Sequence, residues 1–221
     1  MTSPYELVVL DMAGTTVVDD GLVEGAFARA WDRVLATEAG RDAALEHVRA
    51  TMGQSKIEVF RAIADEETAQ KLNAEFENSI RELIAEGRCV PIPGAEDAIR
   101  AFRDLGLKIA FTTGFSRATA EAILDTLGWN ELADVVLSPA DAGRGRPAPD
   151  LVLMAAIRAE VSAVSMIVVV GDTESDAGSG RSAGAGLVVA VLTGGREEAS
   201  LRAAGADRVL ASVTELPALL A

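Results

Sequence analysis

The sequence of 221 residues has one cysteine, one histidine and one tyrosine. A single cysteine, Cys89, excludes a disulfide within the chain and favours a reducing compartment. A single histidine, His47, argues against a histidine-based catalytic triad and against a metal site built from several histidines. The sequence has no apolar run long enough to cross a bilayer, and it opens on an apolar strand pattern without the features of a signal peptide. These absences predict a cytoplasmic protein without a membrane segment.

Positive charge is also scarce. The sequence has 20 lysines and arginines and 34 aspartates and glutamates, which gives a net charge of −14. Such a chain is not expected to bind nucleic acid or an anionic membrane surface. A phosphate-bearing ligand would need a local metal ion, arginine or lysine. The length allows one large domain or a domain with an insertion.

Apolar runs and helical periodicity alternate over most of the chain, which predicts an α/β fold with a doubly wound parallel sheet. The run 7–10 predicts a buried strand. The stretch 23–86 has no convincing strand and predicts helices, with an amphipathic spacing at 69–84. The other predicted elements are strands at 107–112, 134–137, 166–170, 187–192 and 208–210, and helices at 117–127, 149–160 and 175–183.

A Pro-Ile-Pro-Gly segment at 91–94 ends the helical stretch. We therefore predict two domains. Residues 1–17 and 91–221 form the α/β core, and residues 18–90 form a small all-helical domain inserted after the first strand.

Carboxylates follow two of the predicted strands. Asp11 comes directly after 7–10, and Asp172 and Asp176 follow the strand at 166–170. In an open α/β sheet, ligands bind beyond the carboxyl ends of the strands, so these side chains are expected to lie in a site. Paired carboxylate clusters favour a hard divalent cation and an anionic substrate.

Four short motifs, in order along the chain, resemble those of the haloacid dehalogenase superfamily. The helical insertion is similar to the mobile cap of that superfamily. The resemblance implies a Rossmann-like core with a helical cap that hinges around 17–20 and 90–93, and a hydrolase that forms an aspartyl-phosphate on Asp11. The motifs are Asp11-x-Ala13-Gly14-Thr15-Thr16, Thr113-Gly114, Arg146-Pro147 and Gly171-Asp172-x-x-x-Asp176.

The resemblance also implies roles for the site residues. Mg²⁺ would be held by Asp11, the Ala13 carbonyl oxygen and Asp172, with Asp176 supporting the water shell of the ion. Arg146 and the start of the helix near Ser116 would face the phosphoryl group. The implied phosphate- and substrate-binding residues are Ala13, Gly14, Thr15, Met52, Gly53, Thr113, Gly114, Phe115 and Arg146.

Position 13 and the segment 52–56 restrict the type of reaction that the resemblance implies. Phosphatases of the superfamily usually carry a second aspartate, the acid for the leaving alcohol, where Ala13 stands. The sequence Met-Gly-Gln-Ser-Lys at 52–56 resembles the Met-Gly-x-x-Lys motif of the phosphonoacetaldehyde hydrolase (phosphonatase) subfamily. By that resemblance Lys56, with its pKa lowered, forms a Schiff base with the substrate aldehyde while Asp11 takes the phosphoryl group.

Three positions depart from the phosphonatase pattern. The subfamily's histidine is Val59, its tyrosine is Phe115, and its cysteine after the first motif has no counterpart at 19–22. Two activities therefore stay open. One is cleavage of the C–P bond of phosphonoacetaldehyde or a related small 2-oxo-phosphonate, and the other is hydrolysis of a small phosphate monoester.

A third alternative is a phosphometabolite-binding protein without catalysis. The expected partners are a small phosphonate or phosphate-ester substrate and, through the cap helices, a second copy of the chain in a homodimer.

Overall fold

A computed structural model describes residues 3–221 of the chain. In this range six parallel strands form one sheet with the order β3-β2-β1-β4-β5-β6. Each strand begins and ends within one residue of its prediction, so the α/β class with a doubly wound parallel sheet is confirmed. The strands are β1 (Leu7–Asp11), β2 (Lys108–Thr112), β3 (Val135–Leu137), β4 (Ile167–Gly171), β5 (Leu187–Val191) and β6 (Arg208–Leu210).

Strand β1 lies in the middle of the sheet, paired in parallel with β2 and with β4. All five of its residues are buried. Val8 and Leu10 belong to the apolar cluster on one face and Leu7 and Val9 to the cluster on the other, because successive side chains of a strand point to opposite faces. The strand order reverses between β1 and β4, and ligands of open α/β sheets bind at such a switch point.

Helices fill the chain between β1 and β2, as the pattern of residues 23–86 predicts. In α4 the buried residues Leu72, Phe76, Ile80 and Leu83 recur at helical spacing, and α1 packs along this helix. We call α1 to α4 the helical insertion. Its helices are α1 (Leu22–Val34), α2 (Arg41–Ala50), α3 (Lys56–Arg61) and α4 (Glu66–Leu83).

The chain passes between the sheet and the helical insertion twice, and the two passages lie side by side. The Val18 N–H donates to the Val90 carbonyl oxygen at 2.9 Å, and the Ile92 N–H donates to the Thr16 carbonyl oxygen at 2.9 Å. The predicted limits of the two domains, and the predicted hinges, fall at this crossing. The division into 1–17 with 91–221 and 18–90 stays a prediction.

The remaining helices follow the sheet strands or precede them. Helices α6, α8 and α9 match the predictions at 117–127, 149–160 and 175–183, whereas α5, α7, α10 and α11 had no prediction. Three of these four have only four to six residues, too few to show a helical period. The helices are α5 (Ala95–Asp104), α6 (Arg117–Leu127), α7 (Pro139–Ala142), α8 (Asp150–Arg158), α9 (Glu174–Ala183), α10 (Glu198–Ala203) and α11 (Leu216–Leu220).

No helix within residues 3–221 is long and apolar enough to cross a membrane.

Candidate active site

Residues from the carboxyl edge of the sheet and from the helical insertion together line a cavity of about 50 Å³. A cavity of this size suits a ligand of a few heavy atoms. The structure thus brings predicted site residues of both regions to one place, while their roles stay predictions. The predicted residues that line it are Asp11, Ala13, Met52, Gly53, Lys56, Thr113, Gly114, Phe115, Arg146 and Asp172.

Three predicted site residues lie outside the lining of this cavity and contact residues that form it. Thr15 was predicted as a phosphate- or substrate-binding residue, and its hydroxyl donates to Asp172 Oδ1 at 2.8 Å. Gly14 has a φ of 89°, and a Cβ at this position would overlap the Asp172 carboxylate. Asp176 Oδ2 accepts hydrogen bonds from the Thr173 N–H at 3.1 Å and the Thr173 hydroxyl at 2.5 Å. These residues hold the lining in place.

The carboxylates of Asp11, Asp172 and Asp176 form one buried group, because β1 and β4 are neighbours whose carboxyl ends meet. One oxygen from each lies within 4.8 Å of the others. Burial, and then the negative charge of Asp11, raise the pKa of Asp172 far above its usual range. Such concentrated negative charge calls for a cation, and carboxylate oxygens are the ligands that hard divalent ions prefer. This group could therefore hold a metal ion.

Arg146 is the cation that faces these carboxylates. Its side chain is 3% exposed, and its Nη2 lies 2.7 Å from Asp11 Oδ1, while Nη1 contacts Asp176. Neither contact has hydrogen-bond geometry, so among the described residues none accepts a hydrogen bond from its three guanidinium nitrogens. A buried guanidinium with unused donors is suited to bind a phosphoryl group through two parallel hydrogen bonds.

The second predicted anion-binding element is the start of α6. Ser116 is the N-cap of this helix, where its hydroxyl accepts from the Thr119 N–H at 3.3 Å. A carboxylate from the helical insertion already lies here. Glu77 on α4 accepts from the Ser116 N–H at 3.2 Å and from its hydroxyl at 2.5 Å, and it also contacts the Thr119 hydroxyl. Glu77 therefore joins the helical insertion to the start of α6.

Lys56 is the first residue of α3 and is 6% exposed. Its Nζ lies 5.6 Å from the centre of the Phe115 ring, within the range of a cation–π contact. Burial, and then the positive charge of Arg146, lower the pKa of Lys56 from 10.5 to about 8. A much larger share of this side chain is a neutral amine at neutral pH than in an exposed lysine. Lys56 is accordingly suited to act as a nucleophile.

Glycines allow the segment before α3 to lie directly on the sheet edge. The Lys56 N–H donates to the Gly114 carbonyl oxygen at 3.3 Å. A Cβ on Gly114 would overlap the Gln54 carbonyl oxygen, and one on Gly53 would lie 2.5 Å from the Thr173 hydroxyl oxygen. The position of the Lys56 amine over the sheet edge thus depends on close contact between two backbones.

Five lining residues were not among the predicted site residues. The carboxylate of Asp19 lies at the predicted hinge, and Arg196 follows β5. Arg196 Nε lies 3.6 Å from Glu174 Oε2, and its Nη2 donates to the Arg49 carbonyl oxygen of the helical insertion. Neither Asp19 nor Arg196 belongs to one of the sequence motifs. Only the folded structure shows that they line the cavity. The five residues are Asp19, Val23, Thr173, Gly194 and Arg196.

Comparisons with known proteins point in one direction. The sequence profile of the haloacid dehalogenase-like hydrolases matches residues 5–184. The phosphonoacetaldehyde hydrolase of Bacillus cereus is 30% identical over 202 residues, which cover 85% of this chain and 76% of that protein. The phosphonoacetaldehyde hydrolase of Syntrophobacter fumaroxidans is 32% identical over 228 residues, covering 93% and 80%. A hydrolase structure from Pseudomonas syringae, 24% identical, covers 97% of both chains with a TM-score of 0.84 and shares the fold.

Proposed function

This chain belongs to the haloacid dehalogenase-like hydrolases, and we propose that it is a phosphonatase-like enzyme. Its proposed reaction is cleavage of the C–P bond of phosphonoacetaldehyde or a related small 2-oxo-phosphonate. The observation that carries the proposal is the buried Lys56, which lines the same cavity as Asp11. The names of the relatives and the small volume of the cavity support the same class of substrate.

The sheet edge performs the phosphoryl transfer in this proposal. Asp11 attacks phosphorus and forms an aspartyl-phosphate, which water later hydrolyses. The Arg146 guanidinium binds the oxygens of the phosphoryl group during the transfer. Asp11, Asp172 and the Ala13 carbonyl oxygen would hold Mg²⁺, with Asp176 beside them. When bound, the ion neutralises charge on the phosphoryl oxygens and on these carboxylates.

The helical insertion supplies the group that accepts the electrons of the broken bond. The neutral Lys56 amine adds to the substrate carbonyl carbon, and loss of water gives a protonated Schiff base on Nζ. This imine accepts the electron pair of the C–P bond, so the carbon leaves as an enamine. An enamine needs no acid to leave, which agrees with an alanine at position 13.

Phosphate release from phosphonoacetaldehyde and from a panel of small phosphate monoesters, each with Mg²⁺, tests the proposal. We expect turnover of the phosphonate well above that of any ester. Borohydride added with the phosphonate should reduce the Schiff base and leave a two-carbon adduct on Lys56, detectable by peptide mass spectrometry. Turnover of esters without turnover of the phosphonate, and without an adduct, would overturn the proposal.

The second candidate function is hydrolysis of a small phosphate monoester by the same sheet edge. It is favoured by the residues that replace two polar groups of the phosphonatase pattern. Val59 is 3% exposed and Phe115 is also 3% exposed, and neither can exchange a proton. In this case Lys56 serves only to bind substrate.

A further inference from the structure

The cavity contains few groups that can transfer a proton. Its described lining has no histidine, tyrosine or cysteine, and its carboxylates are Asp11, Asp19 and Asp172. Asp11 is the nucleophile of the proposed reaction, and Asp172 belongs to the buried group that could hold a metal. Asp19 is the lining carboxylate that the proposed reaction does not use.

The position of Asp19 is fixed by the helical insertion. It follows the crossing at Val18 and lies before α1, where its Oδ1 accepts the Val23 N–H at 3.1 Å. This hydrogen bond caps the start of α1 and holds the half-buried carboxylate at the cavity. Burial raises the pKa of Asp19, while the hydrogen bond from the Val23 N–H and then the positive charge of Lys56 lower it. Asp19 and Lys56 line the same cavity.

Other acidic side chains near the cavity are already engaged. Glu77 accepts hydrogen bonds from Ser116 and contacts Thr119. Glu24 accepts two hydrogen bonds from Arg49, at 2.9 and 2.7 Å. Neither glutamate lines the cavity that holds the Lys56 amine.

We infer that Asp19 is a catalytic residue that carries the protons of Schiff-base formation and hydrolysis at Lys56, an inference that rests on the proposed function. Addition of the Lys56 amine to the aldehyde gives a carbinolamine. The Asp19 carboxylic acid donates its proton to the carbinolamine hydroxyl, and the C–O bond breaks to release water. The nitrogen lone pair forms the C=N bond, which leaves an iminium ion and the Asp19 carboxylate.

The same carboxylate completes the cycle after the C–P bond has broken. The enamine carbon takes a proton from solvent, and hydrolysis of the aspartyl-phosphate by water returns one proton to solvent. Water then attacks the resulting iminium carbon and Asp19 takes a proton from that water. This step restores the carboxylic acid and gives a second carbinolamine, from which the aldehyde leaves and the Lys56 amine is released. Asp19 thereby transfers the protons that neither Val59 nor Phe115 can transfer.

The variant Asp19→Asn tests this inference, because an asparagine oxygen still accepts the Val23 N–H and caps α1. We expect kcat for phosphonoacetaldehyde to fall about 10²- to 10³-fold, the range for loss of a general acid–base group, with KM changed little. Borohydride trapping at Lys56 should slow by a similar factor. Asp19→Glu should recover part of both rates. The matched control is Asp20→Asn, which changes an exposed neighbour and should behave as the unaltered protein.

Trapping separates failure of this inference from failure of the proposed function. If the unaltered protein gives no adduct on Lys56, the proposed function fails. If it gives the adduct and Asp19→Asn gives it at the same rate, the role of Asp19 is overturned while the proposed function stands. Circular dichroism and thermal unfolding check the fold of each variant. Should Asp19→Asn fail to fold, Asp19→Ser keeps a capping oxygen without an exchangeable carboxyl proton and replaces it in both measurements.

Discussion

The carboxyl edge of the sheet and the helical insertion contribute to the cavity in opposite ways. The sheet edge brings a dense group of carboxylates with one guanidinium. Asp11 and Asp172 lie at the ends of the neighbouring strands β1 and β4, Asp176 lies in the first turn of α9, and Arg146 lies in the loop before α8. The helical insertion brings one amine, that of Lys56, on a short helix that lies against Gly114. The first arrangement suits transfer of a phosphoryl group whatever it is attached to. The second determines, in our proposal, which bond to phosphorus can break.

The largest loss of activity is expected for a substitution at Asp11, because hydrolysis of phosphonates and hydrolysis of esters both depend on this residue of the sheet edge. Asp11→Asn removes the nucleophile, so hydrolysis of phosphonates and of esters should both fall on the order of 10⁵-fold or more. Phosphate release with each substrate measures the loss, and Asp20→Asn is the control. Residual activity within 100-fold of the unaltered protein on either substrate would show that Asp11 is not the nucleophile.

The amine of the helical insertion should separate the two reactions. Lys56→Arg keeps a positive charge but cannot form a Schiff base, so we expect C–P hydrolysis to fall about 10³-fold or more. Any ester hydrolysis should change only a few-fold. Lys71→Arg, an exposed lysine of the same insertion, is the matched control. Equal losses on both substrates would place Lys56 in phosphoryl binding instead.

The close contact at Gly114 can be broken without touching either reacting side chain. In Gly114→Ala the new Cβ meets the Gln54 carbonyl oxygen, which shifts Lys56 relative to Asp11. A misplacement of about 1 Å can cost about 100-fold, so C–P hydrolysis should fall by that factor and ester hydrolysis by less.

Gly25→Ala controls for this substitution, because its Cβ would meet an ordinary contact at 3.8 Å from Leu83 Cδ1. A Gly114→Ala variant with unchanged activity would mean that the contact does not position the amine.

The pH dependence of kcat/KM should also distinguish phosphonate hydrolysis from ester hydrolysis. The Lys56 amine must be neutral to react, and its pKa is about 8. Since the neutral fraction grows as pH rises toward the pKa, kcat/KM for the phosphonate should rise roughly tenfold per pH unit below 8 and level off above it. Ester hydrolysis should lack this limb. A phosphonate profile that is flat between about pH 6 and 8 would contradict a nucleophilic Lys56 with this pKa.

The smallest effect concerns the stability of the join between the two regions. Glu77→Gln weakens the hydrogen bonds to Ser116 and Thr119, and we expect the free energy of unfolding to fall by about 1–2 kcal/mol. Denaturant titration at neutral pH measures it. Glu67→Gln, on an exposed position of the same helix, should change it by less than about 0.5 kcal/mol. Equal changes in the two variants would show that the buried join adds no stability.

The sheet could be predicted because its signals are local. Apolar runs end in Asp11 or lead to Asp172, and the rule for parallel strands places those ends together. Phe115 and the segment 52–56 were found through motifs, and the fold brings them to the same cavity.

Contacts that depend on distant elements had no such signal. Glu77 lies 39 residues before Ser116, and nothing in the spacing shows that the two meet. Asp19 and Arg196 line the cavity from a hinge and from a loop after β5. Thr15 was predicted as a phosphate- or substrate-binding residue, which stays a prediction, and the contact of its hydroxyl with Asp172 on the neighbouring strand had no signal in the sequence. The direction of a side chain in a turn is set by what packs against the turn.

In the proposed reaction, the two fragments of the substrate finish on different parts of the molecule. The phosphoryl group is bonded to Asp11 on the sheet, and the carbon fragment is bonded to Lys56 on the helical insertion. Opening at the predicted hinges, 17–20 and 90–93, would carry the enamine carbon away from phosphorus. Because an enamine carbon is itself a nucleophile, separating the fragments in this way would block attack of this carbon on phosphorus. The placement of the two bonds on the sheet and on the helical insertion would thus keep the fragments from recombining while the site is open.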